Sequence, residues 1–226
     1  MVFYALVINS ANEWNWRYVI AFASRAVADE WWRAVSTSTV SSFAINIRRV
    51  NPQFYIHNVI DAASSLTTTG VATQFLGKVF FTAAHDTNDH MVIPSLDFAD
   101  HLSGNSFYIR SKASPYQYWY YPPHANNPTN AVYVSSTQRT RFHVRRAGSG
   151  THGTVMIGSD GIVITLTTAN LSINVNDSTG QVIVSPAPKS GLKFSDLLSQ
   201  FAAGSTFNQG LNELLYTEDG EEWELA

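Results

Sequence analysis

A run of aromatic residues followed by a polar loop is the first place in this sequence where chemistry could occur. Residues 116–121 read Tyr-Gln-Tyr-Trp-Tyr-Tyr, and the next seven read Pro-Pro-His-Ala-Asn-Asn-Pro. Sugar C–H faces stack on aromatic rings, while amide and imidazole groups bond hydroxyls, and neither contact needs a strongly charged pocket. The pattern therefore predicts a carbohydrate site built from Gln117, Tyr118, Trp119, Tyr120, His124, Asn126 and Asn127.

The aromatic run has a second interpretation, in which its rings only fill the interior. Successive side chains of a strand point to opposite faces, so Tyr116, Tyr118 and Tyr120 share one face and Trp119 lies on the other. Aromatic rings are often buried, so one face is expected to be core. Ligand stacking and core packing make opposite demands on the exposure of these rings, and exposure therefore discriminates between the two interpretations.

A second group brings carboxylates and imidazoles together within a short stretch. Its members are His85, Asp86, Asp89, His90, Asp97, Asp100 and His101. Asp oxygens suit a hard cation and His nitrogens suit zinc, so the group suggests a metal-assisted hydrolase or a nuclease-like toxin as an alternative function. The spacing matches neither a calcium loop nor a His-Glu-x-x-His motif, and we favour a solvated turn as its explanation. We therefore expect no catalytic residues, no metal and no cofactor.

A third group places several cations on one strand face. Arg139, Arg141, His143 and Arg145 alternate along the chain, so they point the same way in a strand. They would bind anionic sugars or phosphates, or pair with the carboxylates of the acidic tail over residues 218–225, namely Glu218, Asp219, Glu221 and Glu222, and we favour the internal pairing. A net charge of -3 leaves little positive field for nucleic acid, so we expect no nucleic-acid partner.

The composition of the whole chain excludes several protein classes. The 226 residues are 45% hydrophobic and 14% charged, which predicts a packed globular protein instead of a disordered one. Cysteine is absent, which removes disulfides, zinc-thiolate sites and thiol nucleophiles. No apolar run is long enough to span a bilayer. Met1 leads directly into strand-like residues 2–8 without a basic leader, so a cytoplasmic location is expected.

The periodicity predicts a mainly β fold, either an antiparallel barrel or a sandwich, with a few peripheral helices. Residues 1–36 form a strand-strand-helix element, in which Ser24 caps a helix over 25–36. Residues 43–185 form the β core, whose strands include 43–47, 54–56, 75–82, 107–110, 116–121, 131–134, 140–145, 154–157, 162–166, 171–175 and 181–184.

The C-terminal segment, residues 190–226, is predicted to be helical before its acidic tail. Phe194, Leu197, Leu198 and Phe201 would share one helix face, with Gly204 as the C-cap. No Pro-rich linker divides the chain, so we expect a single β-rich domain over residues 1–226. The oligomeric state stays open, a homodimer included.

Part of the β core resembles one repeat of the β-trefoil proteins of mushroom fruiting bodies, a fungal group of lectins and protease inhibitors. The resemblance rests on residues 107–111, 118–120, 132–136 and 141–144. It implies a β-trefoil-like fold and a defence protein that recognises glycans or proteases through loops. We therefore expect a lectin-like glycan-binding protein, not an enzyme, with a protease inhibitor acting through loop 122–130 as another alternative.

Overall fold

The computed structural model describes residues 1–10, 17–38, 46–58, 70–84, 99–122, 129–148, 152–208 and 210–226. Two β-sheets dominate these residues, so the predicted mainly β class is confirmed. The chain forms two compact units, Met1–Asp100 and His101–Ala226, each containing one sheet. Within the described ranges, no helix has the length and apolar character needed to cross a membrane.

The first unit contains a five-stranded sheet and one long helix. Its strands are β1 (Phe3–Asn9), β2 (Tyr18–Phe22), β3 (Ile47–Asn51), β4 (Phe54–His57) and β5 (Val79–Ala83). They lie in the order β3-β4-β1-β2-β5, with β1 and β4 parallel and the other pairs antiparallel. The two strands predicted before the helix are therefore present, and they pair with each other.

The predicted strand over residues 75–82 begins late, at Val79. A four-residue helix, Gly70–Thr73, precedes it. Gly77 then adopts a φ of 75°, and the amides of Lys78 and Val79 both donate to the carbonyl of Phe75. This turn needs a residue in the left-handed conformation, and it redirects the chain before the strand pairing starts. The apolar pattern alone does not reveal this turn, so it placed the start of the strand too early.

Helix α1 (Arg25–Ser36) packs on this sheet, as its apolar stripe predicts. Ser24 is extended, and its hydroxyl accepts a hydrogen bond from the amide of Val27 at 3.2 Å, which satisfies one free donor of the first turn. The Trp31 ring is buried, with its centroid 5.5 Å from that of Phe22 and 5.7 Å from that of Tyr55. The helix is thus attached to β2 and β4 by aromatic packing.

The second unit is built on one large antiparallel sheet. Its strands are β6 (Asn105–Ser111), β7 (Tyr118–Tyr120), β8 (Tyr133–Ser135), β9 (Arg141–Arg146), β10 (Ile162–Leu166), β11 (Ser172–Val175), β12 (Val182–Ser185), β13 (Phe201–Asn208), β14 (Leu211–Tyr216) and β15 (Trp223–Leu225). The order is β12-β11-β10-β9-β6-β7-β8-β14-β13, and β15 pairs with β6. Isolated bridges join Ala131 to Ile183 and Gln181 to Leu215, so the sheet curls until β12 approaches β14. This curled sheet agrees with the predicted barrel or sandwich.

One predicted strand of the β core is reduced to a single bridge. Residues 154–157 form no ladder, and only Val155 pairs, with Leu102. The amide of Met156 donates to the carbonyl of His101, and that of Ile157 donates to the Asp160 carboxylate. Backbone amides of this segment therefore form hydrogen bonds with loop residues instead of with a neighbouring strand.

The predicted C-terminal helix is mostly wrong. Only Phe194–Leu198 is helical, as a single 3-10 segment, and β13 begins at Phe201. Gly204 is no helix cap but lies within β13, where an added Cβ would come 2.7 Å from Cδ1 of Leu215 on β14. A short apolar run does not distinguish helix from strand by itself, and here the long β13–β14 ladder determines the outcome. Part of the acidic tail is also a strand, β15.

Candidate functional site

The outer side of β6, β7 and β9 gathers tyrosine and arginine side chains. Along β6, Phe107 and Ile109 are buried, while Tyr108 and Arg110 point outward. Pairing places Arg141 opposite Tyr108 and Tyr118 opposite Arg110. We call this surface the tyrosine–arginine face and define it as Tyr108, Arg110, Tyr116, Tyr118, Arg139 and Arg141.

Each arginine of this face lies over a tyrosine ring. The Cζ atom of Arg139 is 4.4 Å from the centroid of Tyr108, and the Cζ atom of Arg141 is 5.0 Å from the same centroid. Arg110 lies 4.5 Å from the ring of Tyr116. A stacked guanidinium is electrostatically attracted to the ring, by roughly 0.5–1 kcal/mol at an exposed site. The cations are thus held on rings at defined places.

The cations of the face differ in their ion pairing. Arg110 Nε lies 2.8 Å from the Glu224 carboxylate, because β15 runs beside β6. Burial alone would lower the pKa of Arg110, but the hydrogen bond and the charge of Glu224 outweigh it and raise the pKa. Within the described part of the chain, neither Arg139 nor Arg141 has a carboxylate partner. Positive charge is therefore unneutralised on the β9 side.

The favoured pairing of the basic strand with the acidic tail is therefore wrong for Arg139 and Arg141. The tail instead contacts cations at the end of β6, where Glu222 lies 3.1 Å from Lys112. The reason is sheet register, since β15 pairs with residues 109–111 of β6 and brings its carboxylates to that end. Arg141, His143 and Arg145 do share one face of β9, as predicted, since they alternate with buried Phe142 and Val144, whereas Arg139 lies before the strand begins.

Thr140 fixes the backbone between the two unpaired arginines. Its amide donates to the carbonyl of Trp119 at 3.0 Å, and its hydroxyl accepts from the amide of Tyr121 at 2.9 Å. Both flanking arginines are thus tied to the end of β7. Burial raises the pKa of Tyr121, whose hydroxyl donates to the side-chain carbonyl of Asn130 at 3.2 Å.

The predicted carbohydrate residues fall into three groups. Gln117, Tyr118 and Tyr120 are half-buried, so each has surface that a ligand can reach. Trp119 is 0% exposed, and its inclusion in the binding set is corrected, since no ligand can stack on a fully buried ring. The other three residues, His124, Asn126 and Asn127, lie outside the described residues.

Trp119 belongs to the core because it lies on the inner side of β7, next to the outward tyrosines. Its ring centroid is 4.7 Å from that of Phe201 and 6.1 Å from those of Phe142 and Trp223. The predicted alternation of β7 is therefore confirmed. The sequence did not determine which of the two faces is exposed to a ligand, and the structure does.

Tyr108, Arg110 and Tyr116 are members of this face that the sequence pattern did not assign to the site. Tyr116 is 46% exposed, an unusual position for so large a ring. The alternation of apolar and polar residues over 107–110 was a usable signal for the outward position of Tyr108. This alternation does not reveal that β6 pairs with β9, and it is that pairing which brings Tyr108 beside Arg141.

The other predicted groups gain no support from the described residues. Of the carboxylate–imidazole group, His85, Asp86, Asp89, His90 and Asp97 lie outside the described residues. Asp100 accepts a hydrogen bond from Arg49 at 2.7 Å, and the ring of His101 packs on Phe194. Within the described ranges, no three His, Asp or Glu side chains are close enough to hold a metal ion. Of loop 122–130, only its end residues are described.

Comparisons with known proteins returned nothing: no family model matches the chain, and no curated protein or solved structure matches it either. The resemblance to fungal β-trefoil proteins therefore stays a prediction. Function must be inferred from the side chains of this molecule.

Proposed function

We propose that this chain is a carbohydrate-recognition module that binds glycans on the tyrosine–arginine face. The observation that carries the proposal is the outward position of Tyr108 and Tyr118 on the paired strands β6 and β7, together with the exposed ring of Tyr116 just before β7. Folding normally buries tyrosine rings on at least one side. A group of tyrosine rings at the surface offers area on which a ligand can stack, and these rigid side chains lose little conformational entropy when it binds.

The arginines of the face complement the rings chemically. Sugar rings present C–H groups on their faces and hydroxyls around their edges, so a binding surface needs flat apolar area beside hydrogen-bond donors. A guanidinium stacked on a tyrosine keeps its N–H groups for other partners. Arg139 and Arg141, which lie over the Tyr108 ring, therefore supply donors beside the neighbouring ring of Tyr118.

Binding also fits this face better than acid–base catalysis does. The carboxylates described beside it, Glu222 and Glu224, are paired with Lys112 and Arg110. A carboxylate held by a cation is a weak base and a weak proton donor near neutral pH. The face therefore provides contacts for a neutral or anionic ligand without an evident proton-transfer pair.

The experiment is a glycan array followed by calorimetric titration of the sugars it retains. We expect Tyr116→Ala to weaken binding by about tenfold, since the loss of one stacked ring costs roughly 1–1.5 kcal/mol. Tyr4→Ala is the matched control, because Tyr4 is also 46% exposed but lies in the first unit. An array without any retained glycan, or equal losses in both variants, contradicts the proposal.

A further inference from the structure

We infer that the glycans bound by this face carry a carboxylate or sulfate group, which Arg139 and Arg141 hold. The inference rests on the proposed carbohydrate-binding function and names the ligand class for the same surface. It starts from charge: the cations at the end of β6 have partners in Glu222 and Glu224, whereas those two arginines have none among the described residues.

The two guanidiniums converge on one ring. Because the Cζ atoms lie 4.4 and 5.0 Å from the Tyr108 centroid, they are at most about 9.4 Å apart, a distance over which physiological salt screens their repulsion only in part. Two like charges at this distance repel, and a single anion between them removes that repulsion. Planar guanidiniums also match the oxygen atoms of carboxylate and sulfate groups in geometry.

The arginines are positioned before any ligand arrives. Thr140 lies between them in the chain and is anchored to the backbone of Trp119 and Tyr121. The ring of Tyr108 then restricts both side chains. Side chains that are already ordered lose less entropy on binding, so the face gains affinity without new contacts.

A single-stranded nucleic acid would also combine stacking with phosphate contacts. Two features favour an acidic glycan instead. The chain carries a net charge of -3, which repels a long polyanion. In addition, Glu222 and Glu224 border the face, so a track of successive phosphates would meet carboxylates, while one anionic group near Arg139 would not.

The test compares a galactan oligosaccharide that carries one galacturonate residue with its methyl ester, and a galactan oligosaccharide that carries one sulfate group with its desulfated form, by calorimetric titration of the full chain. Within each pair the sugar rings are equal and only the charge differs. We expect the charged member to bind about tenfold more tightly or better, a margin that one paired anion provides. This preference should decrease as salt rises.

The decisive variant is Arg139→Gln/Arg141→Gln, in which both exposed side chains stay polar but lose their charge. We expect the charge preference to fall to within about twofold, with a smaller change for the neutral sugars. Arg48→Gln, an exposed arginine of the first unit, is the control and should keep the preference. Near-ultraviolet circular dichroism verifies that each variant is folded.

The outcomes separate the two proposals. Equal affinity for the charged and neutral members of both pairs overturns the inference and leaves carbohydrate binding intact. The same holds if the double variant keeps the preference. Failure to bind any of the four sugars, with no glycan retained on the array, overturns both proposals. Tighter binding of single-stranded RNA than of any glycan, lost in the double variant, overturns the inference in favour of nucleic acid.

Discussion

The carbonyl of Trp119 accepts a hydrogen bond from the amide of Thr140 at 3.0 Å, which joins a strand with a fully buried ring to the segment that carries Arg139 and Arg141. The same strand β7 turns Trp119 into the core and Tyr118 toward solvent. Core packing and the candidate site therefore share one backbone, and changes on the two sides of β7 should have different effects.

We first predict that Trp119→Ala destabilises the second unit by about 4 kcal/mol, the usual cost of removing a buried large aromatic ring. Urea unfolding followed by far-ultraviolet circular dichroism measures the loss. Tyr116→Ala, which removes an exposed ring just before β7, should change the free energy of unfolding by no more than about 0.5 kcal/mol. Similar losses in the two variants would contradict the assignment of Trp119 to the core and of Tyr116 to the ligand-binding surface.

A second prediction concerns Thr140 as a positioning residue. Thr140→Val keeps the shape but removes the hydroxyl that accepts from Tyr121, so the free energy of unfolding should fall by about 1–2 kcal/mol. If the anchor orients Arg139 and Arg141, the affinity for acidic sugars should fall while that for neutral sugars stays. Thr140→Ser should restore both. A variant that loses stability but keeps its preference for acidic sugars would make Thr140 purely structural.

Several local features of the fold were predictable because their causes are local. Ser24 and the apolar stripe of α1 predicted the helix with its observed bounds, since a cap and a helical period both act within a few residues. Strand alternation placed Arg141 outward for the same reason. These features needed no knowledge of which strands pair.

The candidate face was only partly predictable because it depends on pairing between distant segments. Tyr108 and Arg141 are opposite one another through the β6–β9 register, and 33 positions separate them in the chain. A shift of one residue in that register would send one of them into the core. The C-terminal helix was wrongly predicted from the apolar residues near Phe201, again because strand pairing determines the structure there. The pairing of β13 with β14 outweighs a short helical pattern.

A third prediction concerns the alkaline stability of the first unit. Burial, the main cause, raises the pKa of Tyr55 to about 12, and its hydroxyl has no hydrogen-bond partner among the described residues. The folded state thus prefers the protonated phenol, whose ordinary pKa is about 10. This stability is fully present below pH 10 and should decline by about 3 kcal/mol as the pH rises from about 10 to about 12.

Tyr55→Phe tests this prediction by removing the ionisable group. Above pH 10, the free energy of unfolding of this variant should not show the part of the decline that Tyr55 causes. Near neutral pH, the variant should be as stable as the parent chain or slightly more stable, since a buried hydroxyl without a partner contributes little. Urea unfolding at stepped pH measures both effects. Tyr4→Phe, which changes an exposed phenol, should behave like the parent chain, and an equal effect there would contradict the assignment to Tyr55.

The fourth prediction concerns the buried charges beneath α1. The Asp29 carboxylate lies 2.7 Å from Arg49 and 2.9 Å from Arg25, and the side chains of Asp29 and Arg49 are 5% and 3% exposed. Asp29→Asn removes a buried carboxylate that pairs with both arginines, so the free energy of unfolding should fall by about 3 kcal/mol. Asp100→Asn should cost less, because the Asp100 side chain is 23% exposed and water compensates part of the loss. Chemical denaturation of both variants ranks their losses in free energy of unfolding. A larger loss for Asp100→Asn would show that Asp100, and not the more deeply buried Asp29, holds Arg49 in place.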